Sequence, residues 1–369
     1  CPVLDFSHDG KKVIVCKKLF YRNQLSLWNI ETGAKEKHWI HDHLLDILGA
    51  CFSQDDQYIL SSHSTGRMAI RNITDDTLRF SPAGGMGVPK GELSENGSRL
   101  AIIHTSLHLN LWDLNTLEFR KIKTSRHHNI NVDITSDGKY FVTAGATWHP
   151  VVFEIDSGKL MGRGLPAHKN KVHAMAFSHD GTRIATGGSA KYLCLWDRES
   201  MKGPRINCSK YDRFRSVAFS PDDKLLALGG KFGILQIRNS KTGDLVAALD
   251  GKSGETRAVR FTPDGKHILQ GTGEGTIHLW EVSSQKKVGS LKAHQAEVLS
   301  LKFTPDGKTL ASSSRDGTIQ FWDYKTQKNT RTIRLSPGNT GSIYLAGFTP
   351  EGRHLVAACA NGLVYLLRL

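Results

Sequence analysis

A short turn recurs nine times along this chain, and its spacing constrains the fold more than any other feature. It reads Ser7-His8-Asp9-Gly10, Ser53-Gln54-Asp55-Asp56, Ser94-Glu95-Asn96-Gly97, Ser136-Asp137-Gly138 and Ser178-His179-Asp180-Gly181. It continues as Ser220-Pro221-Asp222-Asp223, Thr262-Pro263-Asp264-Gly265, Thr304-Pro305-Asp306-Gly307 and Thr349-Pro350-Glu351-Gly352. Successive copies lie about 41–46 residues apart, the period of one four-stranded repeat unit. The chemistry is that of a tight turn: Pro presets φ, Asp bonds its own backbone, and Gly accepts a positive φ.

Each turn joins strand-like runs. In residues 294–323, Val298 to Phe303 alternates apolar and polar residues, Leu310 to Ser314 makes a second strand, and Arg315-Asp316-Gly317 turns into a third from Thr318 to Trp322. Runs such as Val13-Ile14-Val15-Cys16 and Leu225-Leu226-Ala227-Leu228 are continuously apolar, as strands covered on both faces are. A triplet of short strands is not stable alone, so the copies must pack on one another.

The third strands end in Trp28-Asn29, Trp112-Asp113, Trp196-Asp197, Trp280-Glu281 and Trp322-Asp323, with degenerate versions at Arg71-Asn72, Phe153-Glu154, Arg238-Asn239 and Leu367-Arg368. In register with the turns over essentially the whole chain, this pattern resembles the WD40-repeat family. The resemblance implies an all-β propeller of four-stranded blades. Nine sets imply nine blades in one ring, at about 3–40, 45–80, 88–122, 131–161, 172–206, 216–249, 258–291, 298–333 and 343–369. The alternative is eight blades plus an incomplete terminal repeat. Because the spacing never breaks, one ring is expected rather than two propellers joined by a linker. The chain stops at the end of a third strand, so the last blade is expected to hold three strands or to draw a fourth from residues upstream of Cys1.

The family also implies a buried hydrogen-bonded set in each blade: a His where the blade starts, a Ser or Thr on the second strand, an Asp in the next turn, and the Trp. Only the eighth repeat matches fully, with His294, Ser312, Asp316 and Trp322. The fifth has His168, Thr186 and Trp196 but Ala190 where Asp belongs, and the second has His43 and Ser61 but Thr65 and Arg71. These residues are read as structural.

Catalytic and metal chemistry find little support. None of the six cysteines sits in a Cys-x-x-Cys pair or at zinc spacing, and those within strands read as small buried hydrophobes in a reducing, cytoplasmic setting. His104 and His108 are four apart on strands, where that spacing does not build a chelate. The run Ala83-Gly84-Gly85-Met86-Gly87-Val88-Pro89-Lys90-Gly91 lacks the Gly-Lys-Ser/Thr and the strand-then-helix context of a phosphate loop, and reads as a flexible connection. No apolar run is long enough to span a membrane. No enzyme activity, cofactor or metal is expected.

Charge is more informative. Lys plus Arg is 49 against 35 for Asp plus Glu, a formal balance of +14. By the resemblance, segments that enter a blade and turns between its second and third strands share one rim of the channel. There the chain places Lys17, Lys18, Tyr21, Arg22, Arg67, Lys169, Lys171, Lys191, Tyr192, Lys210, Tyr211, Arg213, Lys231, Phe232, Arg257 and Arg315. A basic rim bearing aromatics suits an acidic or phosphorylated protein or peptide. The expected function is therefore a non-enzymatic, monomeric interaction scaffold. Two readings compete: a nucleic-acid-binding propeller using the same rim, and an enzyme with a perturbed carboxylate in the central channel. Diffuse solvation of a basic protein is the bland account of the same lysines, which also crowd the opposite face.

Overall fold

The computed structural model describes residues 3–7, 9–19, 22–41, 47–52, 56–63, 68–76, 78–80, 90–103, 108–113, 116, 118–124, 129–145, 149–164, 168, 171–189, 192–208, 213–250, 254–335, 342–350, 352, 354–359 and 364–369. These form nine antiparallel sheets and no helix, eight of four strands and the last of three. The sheets span 3–41, 47–80, 90–123, 129–163, 172–207, 214–250, 256–292, 298–334 and 343–368, and are called sheets one to nine.

The recurring turn builds the hairpin between first and second strands. In sheet five the Ser178 hydroxyl donates to Asp180 (2.5 Å) and accepts from the Arg183 amide (2.9 Å), while the Gly181 amide bonds the Ser178 carbonyl (2.9 Å). Thr262 does the same with Asp264 and His267. Where Asp replaces the turn Gly, at Asp56 and Asp223, the residue still adopts φ of 56°. A short polar side chain tolerates that left-handed conformation.

Apolar rows from adjacent sheets interlock. Leu193 and Leu195 of sheet five meet Phe214, Val217, Phe219 and Leu226 of sheet six, and the pattern repeats from sheet to sheet. Burying each such side chain contributes about 1.5–3 kcal/mol. Hydrogen bonds cross the same junctions. The Phe177 amide donates to Asp133 (2.6 Å), Val259 to the Ser216 hydroxyl (3.0 Å) and Leu345 to that of Ser300 (3.2 Å). Further out, Arg99 bridges Asp113 (2.6 Å) and Asp156 (2.9 Å), and the Tyr324 hydroxyl meets His267 Nδ1 (2.9 Å).

The ring that results has seven members. First strands pack in order from Lys90–Leu93 through Asn129–Ile134, Val172–Phe177, Phe214–Phe219, Thr256–Phe261 and Val298–Phe303 to Ile343–Phe348, and this last strand packs back on Lys90–Leu93. At that seam Gly347 lies against Leu93, and the Gly97 turn sits so close under Pro350 that an added Cβ would be 2.1 Å from its Cδ. Beside it, Lys302 of sheet eight pairs with Glu92 of sheet three. Sheets one and two pack on each other outside the ring, joined by the Phe52 amide on Asp5 (2.9 Å), and sheet two also touches Val364–Arg368 of sheet nine.

The expected ring of nine, and its alternative of eight plus one, are therefore both corrected: seven sheets close and two stand aside. The period is a property of one sheet, whereas closure depends on which sheets meet, a long-range packing outcome that no local break records. The glycine-rich run that separates the two groups lies outside the described residues from 83 to 89 and enters sheet three at Lys90.

Candidate partner-binding rim

The internal polar sets show which conserved-looking positions are already occupied by structure. In sheet eight, the Ser312 hydroxyl bonds His294 Nε2 (2.8 Å) and accepts from Trp322 Nε1 (3.0 Å). Asp316 faces His294 Nδ1 (3.1 Å) and accepts from the Gln295 amide (2.9 Å). Burial lowers the His294 pKa while Asp316 opposes that shift. Sheet five keeps three members: Thr186 bonds His168 Nε2 (2.9 Å) and Trp196 Nε1 (2.8 Å). His168 Nδ1 is left buried without a partner among the described residues, and desolvation pushes its pKa down to about 4.

Two sheets solve the same problem with residues outside the signature. In sheet seven, Gln270 accepts from Trp280 Nε1 (2.8 Å) and donates to Thr256 (2.7 Å) and the Gly233 carbonyl (2.8 Å). In sheet six, Arg238 stands where Trp is usual and donates to Gln236 (2.8 Å) and the Gly243 carbonyl (2.8 Å). Arg71 of sheet two lies over Trp39, 5.1 Å from the ring centre.

One rim of the ring is defined by where its first strands begin. There the residue ahead of each first strand is tied by its carbonyl to the turn between second and third strands. Lys171 takes the Ser189 amide (3.1 Å), Arg213 that of Lys231 (3.0 Å), Glu255 that of Gly273 (2.6 Å) and Glu297 that of Arg315 (3.0 Å). These four positions are equivalent, and their sign changes between sheets six and seven: Lys, Arg, Glu, Glu.

Sheets seven and eight neutralise themselves. Arg215 pairs with Glu255 (2.7 Å), Glu255 with Arg257 (3.0 Å), Arg257 with Glu297 (3.3 Å), and Glu297 with Arg315 (3.1 Å). Two predicted rim cations, Arg257 and Arg315, are thus committed to carboxylates of the rim itself. Arg215, the first link, carries no signal in the sequence beyond its offset of two from Arg213.

Over sheets five and six the rim stays positive. Lys171, Arg213 and Lys231 are exposed and have no carboxylate partner among the described residues, and Phe232 beside Lys231 is 51% exposed. Tyr192, on the same side of sheet five, is covered by the Arg205 guanidinium at 4.6 Å. Lys17 is exposed on sheet one, away from the ring. Tyr21, Arg67, Lys169, Lys191, Lys210 and Tyr211 lie outside the described residues, as do the side chains of Lys18 and Arg22.

The channel inside the ring encloses about 620 Å³. Its wall carries Glu92, Asp133, Arg260 and Lys302, with Lys302 paired to Glu92. Burial, reinforced by the Glu92 charge, pushes Asp133 up to about 7, even though part of its side chain faces the channel. A perturbed channel carboxylate is the feature that an enzyme would need, but this one is held by the Phe177 amide, just as Asp5 is held by that of Phe52 in the pair outside the ring. Among the described residues no group of three or more His, Cys, Asp or Glu side chains is placed to hold a metal ion, and no helix is long and apolar enough to cross a membrane.

Known proteins share part of this pattern. The family model described as "WD domain, G-beta repeat" matches residues 158–197, 243–281 and 285–323, each running from an outer strand through the next turn-linked triplet to Trp-Asp or Trp-Glu. Those three stretches match the WD40 repeat. Over 70 residues it is 37% identical to actin-interacting protein 1 of Drosophila melanogaster, which covers 19% of this chain and 12% of that protein. Over 117 residues it is 24% identical to the anaphase-promoting complex subunit cdh1 of Dictyostelium discoideum, covering 31% of this chain and 15% of that one. The matches thus span a small part of either relative. These matches support a protein-interaction role in general, and the bonded His, Ser, Asp and Trp residues belong to the sheets themselves.

Proposed function

We propose that the protein is a non-enzymatic interaction scaffold that takes an acidic, or phosphorylated, peptide segment across the rim of sheets five and six. The change of sign along equivalent rim positions is the observation that supports this. Lys171, Arg213 and Lys231 have no carboxylate partner among the described residues, whereas Arg257 and Arg315 over sheets seven and eight are already paired. Phe232 supplies an apolar anchor beside the charges, and aromatic and Arg side chains are where interface energy concentrates. A rigid ring holds these loops in fixed relation, so little ordering is lost on binding. The relatives support a protein partner in general: one is named for interacting with actin and the other for belonging to a complex.

The test is an affinity capture from native lysate, with and without nuclease, set against a bait carrying Lys171→Glu, Lys191→Glu and Arg213→Glu. A defined protein set that survives nuclease and vanishes with the substituted bait is the expected result. Loss of the catch on nuclease treatment would move the function to nucleic acid, and its affinity should then fall steeply with salt as counterions are released.

A further inference from the structure

Sheet one exposes a row of residues that the other sheets mostly keep buried, with Phe303, Arg71 and Leu367 half-buried among their equivalents. Val13 pairs Phe6 on one side and Trp28 on the other. The equivalents of Val13 by the same pairing are Ile59, Leu100, Phe141, Ile184, Leu226, Ile268, Leu310 and Leu355, none of them more than 1% exposed. Val13 is only half-buried. Phe6 is 48% exposed, whereas Phe52, Phe177, Phe219, Phe261 and Phe348 at the same position are buried. Trp28 is half-buried where Trp112, Trp196, Trp280 and Trp322 are buried, and Val15 where Thr143, Thr186, Leu228, Gln270, Ser312 and Ala357 are buried.

What covers this row elsewhere is always the same thing. Phe52 packs into Ile14, Leu25 and Leu27 of sheet one, Phe219 into Leu193 and Leu195 of sheet five, and Phe348 into Ile319 and Phe321 of sheet eight. In each case the cover is the second and third strands of the preceding sheet. Sheet three shows that the row is not left open when chain order fails to supply a neighbour, because sheet nine covers it there.

We propose that the open face of sheet one is the docking surface for a further four-stranded blade of the same repeat type, carried by the same polypeptide. Sheets one and two are then two consecutive blades of a second ring. Their mutual contact already has the ring's form, with Asp5 holding the Phe52 amide as Asp133 holds that of Phe177. Two sheets cannot close on themselves, since propellers need four blades or more. The occupant is a blade because the row matches the blade-covered rows position by position, and exposed apolar rows of this kind mark interaction surfaces. It belongs to the same polypeptide because, the seam aside, each sheet packs on the one next to it in sequence.

The experiment is thiol labelling of Phe6→Cys, scored against the unsubstituted protein, in the polypeptide made from its complete natural coding sequence and in the chain of residues 1–369. Hydrogen exchange of Lys12–Leu19 in both unsubstituted proteins reports the same cover if the substitution disturbs folding. Labelling and exchange should be at least about tenfold slower in the complete product than in residues 1–369. Equal rates in the two would overturn the proposal. So would protection of residues 1–369 that grows with protein concentration, because a second copy would then be the cover.

Discussion

At the scale of single residues, the fifth and eighth sheets make a natural comparison. His294 is satisfied at both ring nitrogens and His168 at one. Ala190→Asp places a carboxylate at the position that Asp316 holds in sheet eight, and should raise stability by about 1 kcal/mol, the net worth of a buried hydrogen bond. A melt that is unchanged or lower would show that the fifth sheet's turn cannot present it. Ser312→Ala in sheet eight strands His294 and Trp322 together, and should cost about 2–4 kcal/mol in denaturant unfolding. The His168 shift also fixes a pH dependence. Above about pH 6.5 the imidazole is neutral in both states and its contribution is complete. Between there and about 4 the unfolded chain binds a proton that the folded chain refuses, so stability falls as pH falls, by about 3 kcal/mol over the window. His168→Gln should flatten that slope relative to the parent when melts at pH 7.5 and 5 are compared.

Individual sheets were legible in the sequence to the extent that their determinants are local. The Ser/Thr-x-Asp-Gly turn forms from bonds within six residues, so nine copies predict nine hairpins, and the Trp-Asp endings find the third strands. What stayed hidden are substitutions that keep a bond while changing its chemistry. Gln270 does in sheet seven what a hydroxyl does in sheets five and eight, and Arg238 occupies a Trp position by exchanging packing for two donated bonds. The rim was legible in composition but not in pairing, since Arg257 meets Glu297 across a sheet junction and Arg315 meets the same carboxylate across two turns of sheet eight. Glu297→Gln should release Arg315 while Arg257 stays on Glu255, weakening the fold by about 1 kcal/mol or less and increasing affinity for an acidic peptide in a fluorescence titration. Asp133 belongs at this scale because it joins sheets four and five. Its pKa is raised, so ionisation penalises the folded state increasingly as pH climbs from about 4 through 7. Asp133→Asn keeps an acceptor for the Phe177 amide, and should stabilise the protein at pH 8 more than at pH 4.

At the scale of the whole molecule, the ring is complete without sheets one and two. A chain beginning at residue 82 should fold cooperatively, with the β-rich circular dichroism of a propeller. Failure to fold would mean that sheet two's contact with Val364–Arg368 is needed to hold sheet nine in place. Gly97→Ala tests the seam itself, since the new methyl meets Pro350 and the backbone there has φ of +67°. A loss of about 1–3 kcal/mol is expected. The seam also sets an order of events during synthesis. Six of the seven ring junctions join sheets that leave the ribosome one after the other, but Lys90–Leu93 must wait for Ile343–Phe348. Until the last tenth of the chain has emerged, sheet three presents an uncovered apolar flank, and closing so long a loop is slow compared with pairing adjacent hairpins. The nascent arc is therefore the form of this protein most exposed to chaperones and to misassembly with its own kind.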